Sequence, residues 1–180
     1  WSVERTRQDV CTIVYAGTPG KKDRIDLVIS SVIESRDPLQ LWIIGAQQDE
    51  FLKLYPEFID RDISRVTFFG RLSHREVIEK IKGADYSCFF RDDTRMSNAG
   101  FPTKFVESIT AGVPVITNDT SDISLYANEI GSCIVLDSLS QEAIMQAFED
   151  ASRNRGGMVK NDFFDYRAYL NSVERLVALF

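Results

Sequence analysis

Histidine, cysteine and long apolar runs are the scarce features of this 180-residue sequence. His74 is the one histidine, and Cys11, Cys88 and Cys133 are the three cysteines. With no C-x-x-C pair and no Cys/His cluster, neither a structural zinc motif nor a dithiol redox motif can be drawn. The cysteines are odd in number, widely spaced and each inside an apolar β-type run, so they read as buried thiols of a reducing compartment. His74 falls in a first helical turn and reads as a surface residue, and no Ser/His/Asp constellation can be assembled around it. No apolar stretch approaches the roughly 20 residues needed to cross a bilayer. The opening WSVERTRQDV lacks the apolar core of a signal peptide and also an initiator Met, which leads us to expect a piece of a longer, cytoplasmic chain. Basic charge is in deficit too: the formal net charge is -6, so there is no sequence-wide field to hold nucleic acid or an anionic membrane. Any anionic ligand must be met by local donors.

What is present is an alternation of short β-rich runs with segments of helical period. The runs are CTIVYAG, LQLWIIGA, RVTFFG, YSCFFR, VPVITN and SCIVLD, mostly continuous in apolar character, as strands buried on both faces are. Between them lie helical segments near 23–35, 49–60, 73–84, 101–112, 121–129 and 139–153. Ser73 with Glu76, and Ser138 with Gln141, fit the capping-box spacing, and Gly112 fits a helix C-terminus. Repeated strand–helix units with short connections predict one α/β domain over 1–180, a doubly wound, mostly parallel, Rossmann-like sheet with helices on both faces. After Gly156–Gly157, the residues Tyr166, Leu170, Val173, Leu176, Val177 and Phe180 repeat at three- and four-residue spacing, one apolar stripe on a long helix. The simpler expectation is a closing helix packed on the sheet. The alternative is that this segment, within 158–180, contacts a domain absent from the sequence.

Ligands of open parallel sheets sit beyond the carboxyl ends of the strands. The loop after the first strand, AGTPGKKDRID, carries Gly17, Thr18 and Gly20, with Lys21 and Lys22 before a helix start expected at Asp23. It is neither the G-x-G-x-x-G fingerprint nor a P-loop, and a lysine pair at a surface turn is usually just solvated. More informative is RDDTRMSNAGFPTKFVESITAGVPVITND. Pro102 suits a first helical turn, and the unpaired N–H groups there, with the helix dipole, form a seat for phosphate. Lys104 adds a mobile cation. Glu107, three residues on, shares its face and could accept hydrogen bonds from vicinal hydroxyls such as those of a ribose. An ordinary Lys104–Glu107 surface pair is an equally good reading of the spacing. Asp60-Arg61-Asp62 spells D-x-D but lies at the wrong end of the sheet for a metal site. Asp92–Asp93 reads as a solvated loop within reach of an acceptor.

The block Pro102-Thr103-Lys104-Phe105-Val106-Glu107, followed by Ala111-Gly112-Val113-Pro114-Val115-Ile116, resembles the signature of the family 4 retaining glycosyltransferases. Their GT-B fold pairs two Rossmann-like domains around a cleft, and the C-terminal one binds the nucleotide-sugar donor. The resemblance runs from the first strand to the last helix. It implies a hexosyltransferase that takes its sugar from a nucleoside-diphosphate donor, with retention, in polysaccharide or glycolipid synthesis, and without metal or other cofactor. Glu107 matches the second Glu of the E-x₇-E motif, which binds the donor ribose. Lys22 matches the basic residue that contacts the diphosphate, and with Lys104 would stabilise the leaving group. Backbone from Gly100 through Phe101 and Pro102 to Thr103 would hold phosphates, Gly17 and Thr18 would line the site, and Gly70, Arg71 and Leu72 would edge the base. Two positions depart from the pattern. Ala99 stands where the first motif Glu belongs, and Thr18 where an Arg is common. The implied partner is a missing N-terminal domain carrying most of the acceptor site, through which a peripheral membrane contact stays open; the 180 residues alone would be inactive. A sugar-nucleotide epimerase of the same general fold and a non-catalytic nucleotide-binding module are the rival readings.

Overall fold

A computed structural model describes residues 9–177. Six strands form one sheet: β1 (Cys11–Ala16), β2 (Leu39–Ile44), β3 (Val66–Phe68), β4 (Tyr86–Cys88), β5 (Val115–Asn118) and β6 (Ile134–Leu136). All pairings are parallel, in the order β3-β2-β1-β4-β5-β6. Each run predicted as a strand contains one. The helices are α1 (Ile25–Glu34), α2 (Gln48–Leu54), α3 (His74–Gly83), α4 (Arg95–Asn98), α5 (Thr103–Thr110), α6 (Ile123–Ile130), α7 (Gln141–Asn154) and α8 (Leu170–Val177).

The sheet is doubly wound because its central strand is apolar on both sides. Ile13 and Tyr15 of β1 face a core shared with Val28 and Ile29 of α1 and Phe148 of α7. Val14 faces the other way, toward Ile81 of α3 and Ala111. A third cluster under β5 gathers Phe105 and Ile109 of α5, Ile123 of α6, and the partly buried Phe163 and Phe164. The register of β1 against β2, Cys11 opposite Leu39 to Ala16 opposite Ile44, keeps both strands' carboxyl ends level. Cys11, Cys88 and Cys133 are thiols, the first two fully enclosed.

Ser73 caps α3 as its spacing predicts: its hydroxyl accepts from the Glu76 amide while the Glu76 carboxylate accepts from the Ser73 amide. Three local expectations are corrected. The cap of α7 is Ser140, which accepts from Ala143 N, rather than Ser138 with Gln141; β6 ends at Leu136, so the chain needs two further residues to turn before the helix can start. The expected helix start at Asp23 is a 3₁₀ turn over Lys21–Asp23, after which Arg24 adopts a left-handed conformation (φ 45°) and α1 begins at Ile25. The closing segment is not one long helix on the sheet. It is a 3₁₀ turn over Tyr166–Tyr169 followed by the eight-residue α8, and Tyr166, Leu170 and Val177 are 71%, 45% and 66% exposed. Phe163 and Phe164, just before it, fill the cluster under β5 instead. Phe180 lies outside the described residues, as do the side chains of Val173 and Leu176 and the opening residues 1–8.

Candidate functional site

Strand order reverses between β1 and β4, so connections leave these neighbours in opposite directions and open a crevice at their carboxyl ends. The loop after β1 and the segment after β4 flank that crevice. They meet directly: the ammonium of Lys104, in the first turn of α5, lies 2.6 Å from Oδ2 of Asp23. Gly17 makes this approach possible. A Cβ there would stand 2.7 Å from Lys104 Cε and 3.1 Å from the Tyr15 hydroxyl. From below, Gly45 after β2 comes so near that a Cβ on it would meet the Gly17 carbonyl, and its φ of 121° is one that L side chains rarely adopt.

Asp23 explains why the chain turns where it does. Its carboxylate is drawn inward, 6% exposed, where Oδ2 accepts from Lys104 and from the Tyr15 hydroxyl at 2.9 Å. Burial, reinforced by the adjacent Asp23 charge, pushes the Tyr15 phenol far above its ordinary range, so it stays a donor. On the other side, Arg91, three residues past the end of β4, brings Nε to 3.6 Å from Asp23 Oδ1. The Arg91 peptide is bracketed by one side chain: Arg91 N donates to Asn118 Oδ1 at 3.0 Å, and Asn118 Nδ2 donates to Arg91 O at 2.8 Å. Sequence alone offers Asp23 only as a helix start and gives Arg91 no role. The available signals were an acid directly after Lys21–Lys22 and a cation closing an apolar run.

Of the residues picked out from sequence, Lys104 is inward and paired with Asp23, which overturns the Lys104–Glu107 surface pair. The Glu107 carboxylate is half-buried and takes no hydrogen bond or ion pair among the described residues. Lys22 and Thr18 are exposed, and Thr18 O accepts from the Tyr15 hydroxyl. Pro102 is the N-cap of α5, one position earlier than a first-turn residue. The amides of Gly100, Phe101, Thr103 and Lys104 have no acceptor among the described residues. Phe101 anchors this loop, its ring edge-on to Phe105 and to Tyr126 with centroids at 5.6 and 4.9 Å. Ala99 is exposed at the end of α4.

Gly70 contributes less to an open edge than its position suggests. Its carbonyl accepts from Gly45 N and its amide donates to Ala46 O, which leaves Arg71, 80% exposed in its side chain, and the half-buried Leu72 at that rim. His74 is exposed. Asp92 pairs with Arg24 at 3.0 Å and Asp93 accepts from Asn98 at 2.6 Å, so this acidic pair is tied down rather than merely solvated. In the D-x-D segment, Asp62 accepts from Ser64 N and Arg61 reaches Ser30 and Glu34. Among the described residues no three His, Cys, Asp or Glu side chains converge as metal ligands, and no helix is long and apolar enough to cross a membrane.

The geometry has counterparts among known proteins. Residues 3–169 match the family model described as glycosyl transferases group 1. The fold is similar to that of sucrose-phosphate synthase from Thermosynechococcus elongatus, with a TM-score of 0.67 at 15% identity over 95% of this chain and 45% of that one. It is also similar to the lipopolysaccharide outer core galactosyltransferase WaaB, with 0.68 at 18% identity over 96% and 50%. Anabaena HepE in complex with UDP and glucose gives 0.73 at 10% identity over 96% and 49%. The chain thus spans about half the length of these relatives. No curated protein matches it in sequence. With the matched family model covering almost all of the sequence, and the sheet order and crevice of a GT-B domain, this chain belongs to the glycosyl transferases group 1 family.

Proposed function

We propose that this chain is the donor-binding half of a glycosyltransferase that moves a hexose from a nucleoside diphosphate to an acceptor, with retention and without a metal. The observation that carries the reading is the start of α5. Among the described residues, four amides without acceptors lead into the helix, Lys104 stands beside them, and one turn later the Glu107 carboxylate is unengaged. Amides and a helix N-terminus favour phosphate, and a carboxylate beyond them favours vicinal hydroxyls. That HepE is described with UDP and glucose supports the ligand class. As the diphosphate leaves, negative charge grows where Lys22, Lys104 and these amides stand, and donors already in place stabilise it without reorganising. The acceptor site, completed by a second domain, and a role in polysaccharide or glycolipid synthesis belong to the same proposal, as does a cytoplasmic location.

Calorimetric titration with UDP, GDP and ADP tests it. Glu107→Gln keeps shape and one acceptor oxygen but loses the charge that strengthens a ribose hydrogen bond, so affinity falls about ten- to hundredfold with little change in folding. Unchanged affinity would remove the ribose assignment. Ala99, where a carboxylate is expected, favours a second reading, a nucleotide-binding module without turnover. Sugar transfer by the full-length protein separates the two.

A further inference from the structure

We infer that Asp23 is a positioning residue which sets Lys104 and Arg91 as a two-cation seat for the diphosphate, and that Arg91 binds this group directly; the inference rests on the donor reading above. One buried carboxylate here serves two cations from opposite sides. Oδ2 takes Lys104 at 2.6 Å, and Oδ1 faces Arg91 Nε at 3.6 Å. That second contact is longer than a hydrogen bond, and among the described residues neither Oδ1 nor Nε has a hydrogen-bond partner. The Arg91 side chain is only 13% exposed, with its guanidinium 5.7 Å from the Phe89 ring. Two positive groups against one negative leave a net positive charge in a sheltered crevice, where an ion pair is not fully screened.

The rest of the geometry says which anion. The cluster lies between the carboxyl ends of β1 and β4, beside the unpaired amides that begin α5. A nucleoside diphosphate brings two adjacent phosphates, enough to meet the ammonium, the amides and a guanidinium at once. The planar fork of Arg matches paired phosphate oxygens, while Lys acts as a point charge. Rigidity favours the role as well. The Arg91 peptide is held at both its N–H and its C=O by Asn118, and Lys104 lies packed along Gly17. Cations fixed before the ligand arrives lose less freedom on binding. Asp23 thus acts through its neighbours: without it the ammonium and guanidinium repel each other and lose their common anchor.

The test compares wild type, Arg91→Gln and Asp23→Asn by calorimetry with UDP, GDP, ADP, their nucleosides and inorganic pyrophosphate, alongside thermal unfolding. In Arg91→Gln, affinity for nucleoside diphosphate and for pyrophosphate falls about tenfold while nucleoside affinity is unchanged. In Asp23→Asn, the ratio of diphosphate to nucleoside affinity falls about threefold, a change that general loosening of the fold would not produce, since it would weaken both ligands. A folded Arg91→Gln with full diphosphate affinity, beside a loss in Glu107→Gln, overturns the inference and leaves the donor reading standing. Tighter diphosphate binding by Asp23→Asn makes that carboxylate a competitor and overturns its positioning role. Where Arg91→Gln does not fold, Arg91→Lys keeps the charge without the fork: a loss for diphosphate alone supports the assignment, and equal losses for both ligands overturn it. Wild type that binds none of these probes overturns inference and donor reading together.

Discussion

Asp23 and Lys104, 81 residues apart in the chain, share a 2.6 Å contact that joins the first-strand loop to the start of α5. The joint is buried on the acid's side, its side chain 9% exposed, and nearly so on the lysine's, with a side chain 19% exposed. Together with the Tyr15 hydroxyl, which donates to Thr18 O and Asp23, the contact fixes the first-strand loop to the helix that follows β4.

Lys104→Ala removes a cation from the proposed diphosphate seat while leaving the nucleoside contacts in place. Affinity for UDP, GDP or ADP is expected to fall about tenfold or more, with nucleoside affinity changed by less than about twofold. The buried Asp23 also loses its nearest cation and keeps only Tyr15 and the more distant Arg91, so unfolding moves to lower temperature, consistent with the cost of a poorly paired buried charge. Titration with nucleoside and nucleoside diphosphate, paired with a thermal scan, reads both effects.

Gly17→Ala places a methyl group 2.7 Å from Lys104 Cε and 3.0 Å from its Nζ. The far end of the lysine must shift, which disturbs its contact with Asp23, so this substitution should act in the same direction as Lys104→Ala on ligand binding while leaving every charge in place. Diphosphate affinity equal to wild type would show that the close packing of Gly17 on Lys104 has no bearing on the site.

A seat made of lysines and amides needs no divalent ion. Donor binding should therefore survive excess chelator, with affinity for UDP, GDP and ADP unchanged. A tenfold loss, about 1.4 kcal/mol, would place a metal in the donor complex.

Ser73→Ala strips one hydroxyl from a two-way cap. The Glu76 amide loses its acceptor and the Glu76 carboxylate loses one donor. Stability should fall by about 1 kcal/mol, measured by denaturant unfolding.

Thiol labelling checks the core. Burial raises the Cys88 thiol well above its usual range, and Cys133 in the same direction. Native protein should leave Cys11 and Cys88 unlabelled by a thiolate-specific reagent, and denatured protein should label all three.

Most of the framework was legible because it is periodic. Six apolar runs returned six strands, and Ser73–Glu76 marked one helix start to the residue. Their lateral order was not written in any single run; it follows from how the crossovers pack. Misreadings cluster where a long-range contact decides local structure. Asp23 looked like the start of a helix, yet its carboxylate is recruited inward by Tyr15 and Lys104. Lys104 and Glu107 looked like partners at helical spacing, yet the lysine turns to an acid from the first loop. Arg91 carried no motif, since nothing nearby in sequence reveals that it faces Asp23. At the far end, a regular apolar stripe suggested packing on the sheet, but Phe163 and Phe164 already occupy the cluster beneath β5.

The bracket that Asn118 places around Arg91 has a kinetic consequence. One side-chain amide stands in for a missing neighbour strand, giving the peptide at Arg91 both a donor and an acceptor just as the chain leaves the sheet. The Arg91 N–H should consequently exchange with deuterium far more slowly than the amides of Asp92 to Thr94. Replacing Asn118 with Ala should release that single site to loop-like exchange, while β4 and β5 keep the protection of their own ladder.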